Sequence, residues 1–285
     1  MKHFLKLNEI QRNLLVGSII GDGEITKIYP NSRRKNHSYR EHYGVKQEAY
    51  RIWKSEFFPN LLYLTKKSST LRSKSCALFT ELYPHFYEKN AKQIPLQLLK
   101  LCTSPYLLAA IYLDDGSLSI STRVNHRLKK IYLTPHIFLY LQNYTKDQLL
   151  ALQCHLVETF DFNFSISKRK DGHGYILRGT STELTYRFLS FLSPITSTCP
   201  SMFYKSSWER RFKQEKEKLN ETHKGYEVVA TSPDRFKNYS NKEIEKIISL
   251  KKQGGLKDKE IAVIVNRSYW SIVYKLRELR KMGLI

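Results

Sequence analysis

The strongest constraint in this sequence is a repeat. The stretch LLVGSIIGDGEI (Leu14–Ile25) is an apolar run that closes on Asp-Gly, and LLAAIYLDDGSL (Leu107–Leu118) writes the pattern again. Leu14 to Ile20 is apolar enough for a buried helix, with Asn8 or Asn13 as its cap. Gly21 and Gly23 bracket Asp22 and should end it. Tyr106 to Leu113 is the counterpart, ended at Gly116. Gly17 and Gly21 are four apart and share a face, and Ala110 stands in the place of Gly17. Small residues at the contact let two such helices approach closely. Each helix then delivers one carboxylate, Asp22 or Asp115, to the same end of the interface. Paired carboxylates are costly unless a cation neutralises them, and Mg²⁺ prefers carboxylate oxygens. A carboxylate pair holding divalent ions suits in-line attack of water on a phosphodiester. A single Asp-Gly after an apolar helix is usually only a C-terminal cap; two copies with the same downstream order reverse that reading.

The segments after each copy run in parallel. In the first, GEITKIYPNSRRKNHSYREHYGVKQ reads as a hairpin with Arg33, Arg34 and Lys35 at its tip. EAYRIWKSEFFPNLLYL has helical spacing, TLRSKSCALFTELY alternates like strands, and YPHFYEKNAKQIP reads as a closing helix stopped by Pro95. In the second, SLSISTRVNHRLKKIYLTPHIFLYL is strand-like with a basic turn holding Arg123, Arg127, Lys129 and Lys130. TKDQLLALQCHLVETF is a helix capped by Thr145, a hairpin turns at Asp171-Gly172, and TELTYRFLSFLSPI is a last helix. The predicted fold class is α+β, a helix–two strands–helix–two strands–helix unit written twice. The halves are placed at residues 1–100 and 101–212. Residues 213–238 read as a charged linker, and residues 239–285 as a small all-α domain.

That last block has a capping box at Ser240 and Glu243, a break at Gly254-Gly255, and a third helix capped by Ser268. It resembles a homeodomain-like helix-turn-helix. Its core would be Ile244, Ile247, Ile248, Ile261, Val265, Ile272, Val273, Leu276 and Leu279. Tyr269, Ser271, Tyr274, Lys275 and Arg277 are then the candidates to face DNA.

Charge names the class of partner. Forty-eight Lys and Arg against 26 Asp and Glu leave a net charge of +22, which favours a polyanion, nucleic acid first. No clear basic amphipathic helix with aromatic anchors suggests a membrane surface, and no apolar run approaches the roughly 20 residues that span a bilayer. Cys76, Cys102, Cys154 and Cys199 are widely spaced and form no C-x-x-C pair. Zinc is not expected, and reduced thiols fit a cytoplasmic, nucleoid-associated or organellar-matrix setting. The nine histidines show no ligand spacing. Tyr39, Tyr43 and Tyr50 read as packing residues.

LVGSIIGDG (Leu15–Gly23) and LAAIYLDDG (Leu108–Gly116) resemble the two motifs of the LAGLIDADG homing endonucleases. The resemblance covers roughly residues 5 to 212 of the chain. It implies two αββαββα halves with the motif helices at their interface and saddle-shaped sheets on double-stranded DNA. It implies that Asp22 and Asp115 bind Mg²⁺ and position water, helped by the peptide carbonyls of Gly21 and Asp114. The Asp114 side chain reads as a structural or metal-shell acid. Lys92, in NAKQIP, and Lys205, in CPSMFYKS, are similar to the basic residues that the family places beside the cleaved phosphates, where a cation stabilises transition-state charge. Ser18, Ile20, Leu113 and Asp114 depart from the consensus, but neither motif acid is lost. Arg33, Arg34, Lys35, Lys46, Arg123, Arg127, Lys129, Lys168 and Arg169 are candidates to contact DNA. The activity implied is that of a monomeric, site-specific nuclease cutting both strands of a long, non-palindromic site and leaving short 3′ overhangs. The alternatives are a non-cleaving transcription regulator of the same architecture and an intron RNA maturase. An intein is not expected, since the chain opens with Met1, ends KMGLI, and lacks the terminal nucleophile and His-Asn ending.

Overall fold

A computed structural model describes residues 1–169, 171–232 and 239–285. The chain divides into two compact units, Met1–Pro233 and Asp234–Ile285.

The first unit carries the repeat. Its first half runs α1 (Glu9–Ile20), β1 (Glu24–Thr26), β2 (Ser38–His42), α2 (Glu48–Glu56), β3 (Leu62–Thr65), β4 (Thr70–Ser73) and α3 (Ala77–Phe86). The short strands β5 (Tyr87–Glu88) and β6 (Ala91–Lys92) and the turn of helix α4 (Leu96–Leu99) follow. The second half runs α5 (Pro105–Asp115), β7 (Gly116–Asn125), β8 (Lys130–Leu139), α6 (Lys146–Phe160), β9 (Ser165–Lys168), β10 (Tyr175–Gly179) and α7 (Thr182–Thr196). After it come α8 (Phe203–Ser206), α9 (Trp208–Thr222) and β11 (Glu227–Ala230). The αββαββα order is thus present twice. The pairing repeats too: the antiparallel order β1-β2-β4-β3 of the first sheet matches β7-β8-β10-β9 of the second.

Alternation sets which face each sheet buries. Along β8, Ile131, Leu133, Ile137 and Leu139 are buried, while Lys130, Tyr132, Thr134, His136 and Phe138 face outward. One continuous apolar core lies beneath both sheets, from Phe4 to Val228. The motif helices run through it: Leu14, Leu15, Val16 and Ile19 of α1 and Leu107 to Leu113 of α5 are wholly buried. From Leu14 to Ile20 α1 is buried on every side, with Ser18 its one polar residue, and α5 is apolar and buried from Leu107 to Leu113.

Caps fall where sequence places them. Asn8 and Gln11 form a capping box at α1, and Thr145 and Gln148 form one at α6. Asn13 is not the cap of α1. It is buried, and its Oδ1 accepts from Ser104 N at 2.9 Å, so that one motif helix caps the start of the other.

Four expectations are corrected. EAYRIWKSEFFPNLLYL is not one helix: α2 ends at Glu56, before Pro59, and Leu62–Thr65 is a strand. The strand reading of TLRSKSCALFTELY holds only to Ser73; Leu78, Phe79, Leu82 and Phe86 then bury a helical face, and the expected helix from Tyr83 to Pro95 gives way to the β5–β6 hairpin. The linker expected over 213–238 contains most of α9 and all of β11. Glu227–Ala230 pairs in parallel with Lys130–Leu133 of β8 and extends the second sheet, with Val228 buried. Residues 233–238 of that expected linker lie outside the described residues.

The second unit holds α10 (Asn241–Gln253), α11 (Asp258–Ile264) and α12 (Tyr269–Lys281) around its own core of Ile247, Ile261, Ala262, Val265, Ile272, Leu276 and Leu279. Ile244 and Ile248 pack on it, whereas Val273 does not belong to it.

Candidate active site

The site begins with two glycines. A Cβ on Gly17 would lie 2.5 Å from Leu107 O and 2.7 Å from Ala110 Cβ, and one on Gly21 would lie 2.7 Å from Asp114 Cβ. All three distances are shorter than carbon and oxygen tolerate, so α1 and α5 pack at a separation that only glycine permits. Their C-terminal ends meet. Tyr144, from the second half, donates its hydroxyl to Ile20 O at 2.7 Å and fixes the end of α1.

Asp22 and Asp115 leave this junction in different surroundings. The Asp22 side chain is one-third exposed, 33%. Its Oδ2 accepts from Arg51 Nη2 at 2.7 Å. Asp115 is more enclosed. Burial, then the nearby charges of Asp22 and Asp114, push its carboxyl up to about 7 against the opposing pull of Lys92 and Lys205. The charge of Asp22 is therefore felt at Asp115. Hard oxygen donors under mutual repulsion fit a hard divalent cation.

Lys92 and Lys205 sit symmetrically. Lys92 Nζ donates to Gly21 O at 2.7 Å and Gly23 O at 2.9 Å, and Lys205 Nζ donates to Leu113 O at 2.7 Å and Asp114 O at 2.8 Å. Each lysine thus crowns the carbonyl end of its own half's motif helix, where the helix dipole favours a cation. Burial lowers both ammonium pKa values, opposed by the motif acids. The carbonyls of Gly21 and Asp114, expected to face a metal, here accept from these lysines.

The Asp114 carboxylate turns away into the first half. Lys54 Nζ lies 3.0 and 3.1 Å from its oxygens and Arg51 Nη1 lies 3.3 Å away. Glu41 completes the cluster: its Oε1 is 2.7 Å from Lys54 Nζ and 3.0 Å from Arg51 Nε, and its Oε2 accepts from the Tyr39 hydroxyl at 2.5 Å. Arg51, Lys54 and Glu41 are wholly buried. Oxygens of Asp22, Glu41 and Asp114 lie within 4.8 Å of one another, but the guanidinium and ammonium already lie among them. Burial opposes the charged form of Asp114, yet Lys54 and Arg51 outweigh it and hold its pKa down. Burial alone would lower the Arg51 pKa, but Glu41 and Asp114 raise it overall.

Sequence reasoning missed Arg51, Lys54 and Glu41. The available signal was spacing: Tyr50, Arg51, Trp53 and Lys54 share one buried face of α2. The second half breaks the symmetry here. Arg51 and Lys54 are the fourth and seventh residues of α2, and the fourth and seventh of α6 are the buried Leu149 and Leu152.

The proposed DNA contacts are spread over the outward faces. Arg33, Lys35, Lys46, Arg123, Arg127, Lys129 and Lys168 are exposed. Arg34 is pinned below the hairpin tip, donating to Thr26 Oγ1 at 3.3 Å and Ser38 Oγ at 3.1 Å. Arg169 is paired with Asp171. Sequence reading also missed a row across the first sheet, where Glu24, Arg40, Arg72 and Tyr63 are successive cross-strand neighbours. A cleft opens beside Asp22, lined by Glu24, Arg40, His42, Tyr43, Gly44 and Gln47 with Asp114. In the second unit Tyr269, Tyr274 and Arg277 are exposed. Ser271 and Lys275 point elsewhere: the Ser271 hydroxyl is 2.8 Å from the Tyr239 hydroxyl, and Lys275 donates to Glu278 at 2.9 Å. Tyr39, Tyr43 and Tyr50 are buried, as packing residues should be, and all four cysteines are free.

A duplicated αββαββα unit, seamed by two close-packed helices that each deliver an aspartate at their C-terminal end, is the architecture of the single-chain LAGLIDADG proteins. The profile of the LAGLIDADG DNA endonuclease family matches residues 12–186. The chain belongs to that family. It is 26% identical over 197 residues to a probable intron-encoded endonuclease of Wickerhamomyces canadensis, covering 66% of this chain and 82% of that one. It is also 27% identical over 209 residues to the RecA protein of Mycobacterium leprae, covering 70% of this chain but only 28% of that protein's length. The structure of the homing endonuclease I-WcaI bound to its DNA recognition sequence superposes with a TM-score of 0.52 at 23% identity, over 72% of this chain and 90% of that one, which bears out the fold.

Proposed function

We propose that this chain is a site-specific endonuclease that hydrolyses both strands of a long, non-palindromic duplex DNA site in the presence of Mg²⁺. The observation that carries the reading is the convergence of Asp22 and Asp115, one from each half, at the end of the α1–α5 seam. Asp22 and Asp115 would hold a divalent cation, which would supply Lewis acidity to the scissile phosphate and acidify a water.

The chain's own residues do the rest. Arg51 holds Asp22 through its 2.7 Å contact. Lys92 and Lys205 stand at the two carboxylates and place positive charge where the phosphate gains negative charge. The outward sheet residues, Arg40 and Arg72 in the first half and His136 and Arg178 in the second, face the side from which base edges are read. Exposed lysines and arginines of the long β7–β8 hairpin and of the 27–37 loop hold phosphates. Because the halves differ in sequence, the site they read is asymmetric, and one chain suffices.

The test is cleavage of a randomised duplex library by the purified protein, with Mg²⁺ and with EDTA, beside Asp22→Asn. One long motif, cut only with the metal and only by the wild type, is the expected result. Enrichment of bound but uncut DNA would overturn cleavage and leave a DNA-binding regulator.

A further inference from the structure

Among the described residues the second sheet has a strand with no counterpart in the first. Over Lys130–Leu139, β8 pairs on one edge with β7. On its other edge β10 reaches only Ile137–Leu139, and β11 takes Lys130–Leu133. In the first sheet β2 pairs with β1 and β4, and the sheet stops at four strands. Strand β11 is held by more than its ladder. Thr231 Oγ1 lies 2.7 Å from Thr134 Oγ1, Lys130 Nζ lies 2.8 Å from the Glu227 carboxylate, and His126 Nδ1 is 3.0 Å from the Tyr226 hydroxyl.

Directly opposite residues of neighbouring strands share a face. Val228, 4% exposed, lies opposite the buried Ile131. Glu227 and Val229, opposite Lys130 and Tyr132, are therefore on the outward face. Thr231 follows on that face, its hydroxyl against that of Thr134.

We propose that β11 is a fifth base-reading strand, and that Glu227, Val229 and Thr231 set base preference within the second half's share of the site. The proposal rests on the reading that the outward sheet faces meet duplex DNA. The three side chains differ as readers of base edges must. A carboxylate accepts from the cytosine amino group, a hydroxyl donates or accepts, and an apolar group meets the thymine methyl. At about 3.3 Å per residue, Glu227 to Thr231 spans roughly 13 Å, or about four base-pair steps of 3.4 Å. Arg127 and Lys129, exposed on the adjoining turn, hold the phosphates that fix the strand's register on the duplex. The second half thus reads with five strands and the first with four, so the two half-sites are of unequal length.

The test is selection of bound sequences from a randomised duplex library in EDTA, where cutting does not enter, by the full chain and by Val229→Ser and Glu227→Gln. Glu227 is exposed and Val229 half-buried, and Glu227→Gln keeps the side chain's shape, so at least one variant retains the fold; thermal melting checks both. Each variant should recover the wild-type motif except within one contiguous block of about four base pairs on one side of its centre. There the favoured base should change, or lose roughly fivefold or more of its preference. Lower affinity with base preference unchanged at every position would show that β11 only braces the β7–β8 hairpin, and would overturn the proposal. Changes scattered over both half-sites would overturn it as well. A wild type that enriches no motif would instead overturn sequence-specific DNA recognition itself, so the two failures are distinct.

Discussion

The guanidinium of Arg51, wholly buried, holds the Asp22 carboxylate at 2.7 Å while it also contacts Glu41 and Asp114. One side chain thus joins a partly exposed motif acid to two buried ones. Arg51→Met should misplace Asp22 and strand the buried carboxylates. A displacement near 1 Å costs on the order of 10²-fold in rate, and breaking a buried pair costs about 3–5 kcal/mol. Single-turnover cleavage below the variant's melting temperature, together with a denaturant titration, separates the two effects. Unchanged cleavage would remove Arg51 from the positioning of Asp22.

Asp115 makes the sign of a pH effect testable. Its carboxyl stands at about 7 in the folded chain and near 3.9 when unfolded. The folded state therefore holds the proton more tightly, and stability is lost as pH rises from the unfolded value through about 7. Asp115→Asn should be more stable than the wild type above that range, by on the order of 2–4 kcal/mol, and equal to it below pH ~4. Urea titrations across the range check this. Mg²⁺ above neutral pH should stabilise the wild type and do less for the variant.

The glycine seam predicts a rescue. Gly17→Ala drives a methyl against Leu107 O and Ala110 Cβ and should cost about 1–3 kcal/mol by overpacking. Adding Ala110→Gly should restore part of that loss, since the Leu107 carbonyl remains. Additive losses in the double variant would contradict the packing.

Lys92 and Lys205 each serve one half. Lys92→Met and Lys205→Met should slow cleavage of opposite strands, each by on the order of 10²-fold as for a lost stabilising donor. Supercoiled plasmid bearing the target should accumulate as nicked circle, with end-labelling placing the nicks on different strands. Equal slowing of both strands would show that the lysines act jointly.

The motif helices were legible because an apolar run closing on Asp-Gly is a local pattern, and its repetition carried the duplicated fold with it. Lys92 and Lys205 came from resemblance alone, and the structure brings both to the motif turns. Arg51, Lys54 and Glu41 were illegible because charge in an amphipathic helix or strand reads as solvated face. Their burial depends on Asp114, 60 residues or more away in sequence from Arg51 and Lys54. Strand β11 was hidden differently: EVVA is four residues long, and its parallel partner lies 97 residues earlier. Helix α3 was hidden because TLRSKSCALFTELY alternates as a strand would, and the helix was placed only from Tyr83 on.

Asp114 belongs to the second half, yet the groups that neutralise it, Arg51 and Lys54, belong to the first. The halves of this chain are consequently not interchangeable parts. A chimera that joins this second half to a foreign first half, with leucines where α2 carries Arg51 and Lys54, would seal an unmatched carboxylate under the seam. In this chain a functional chimera should therefore keep α2 and α5 together.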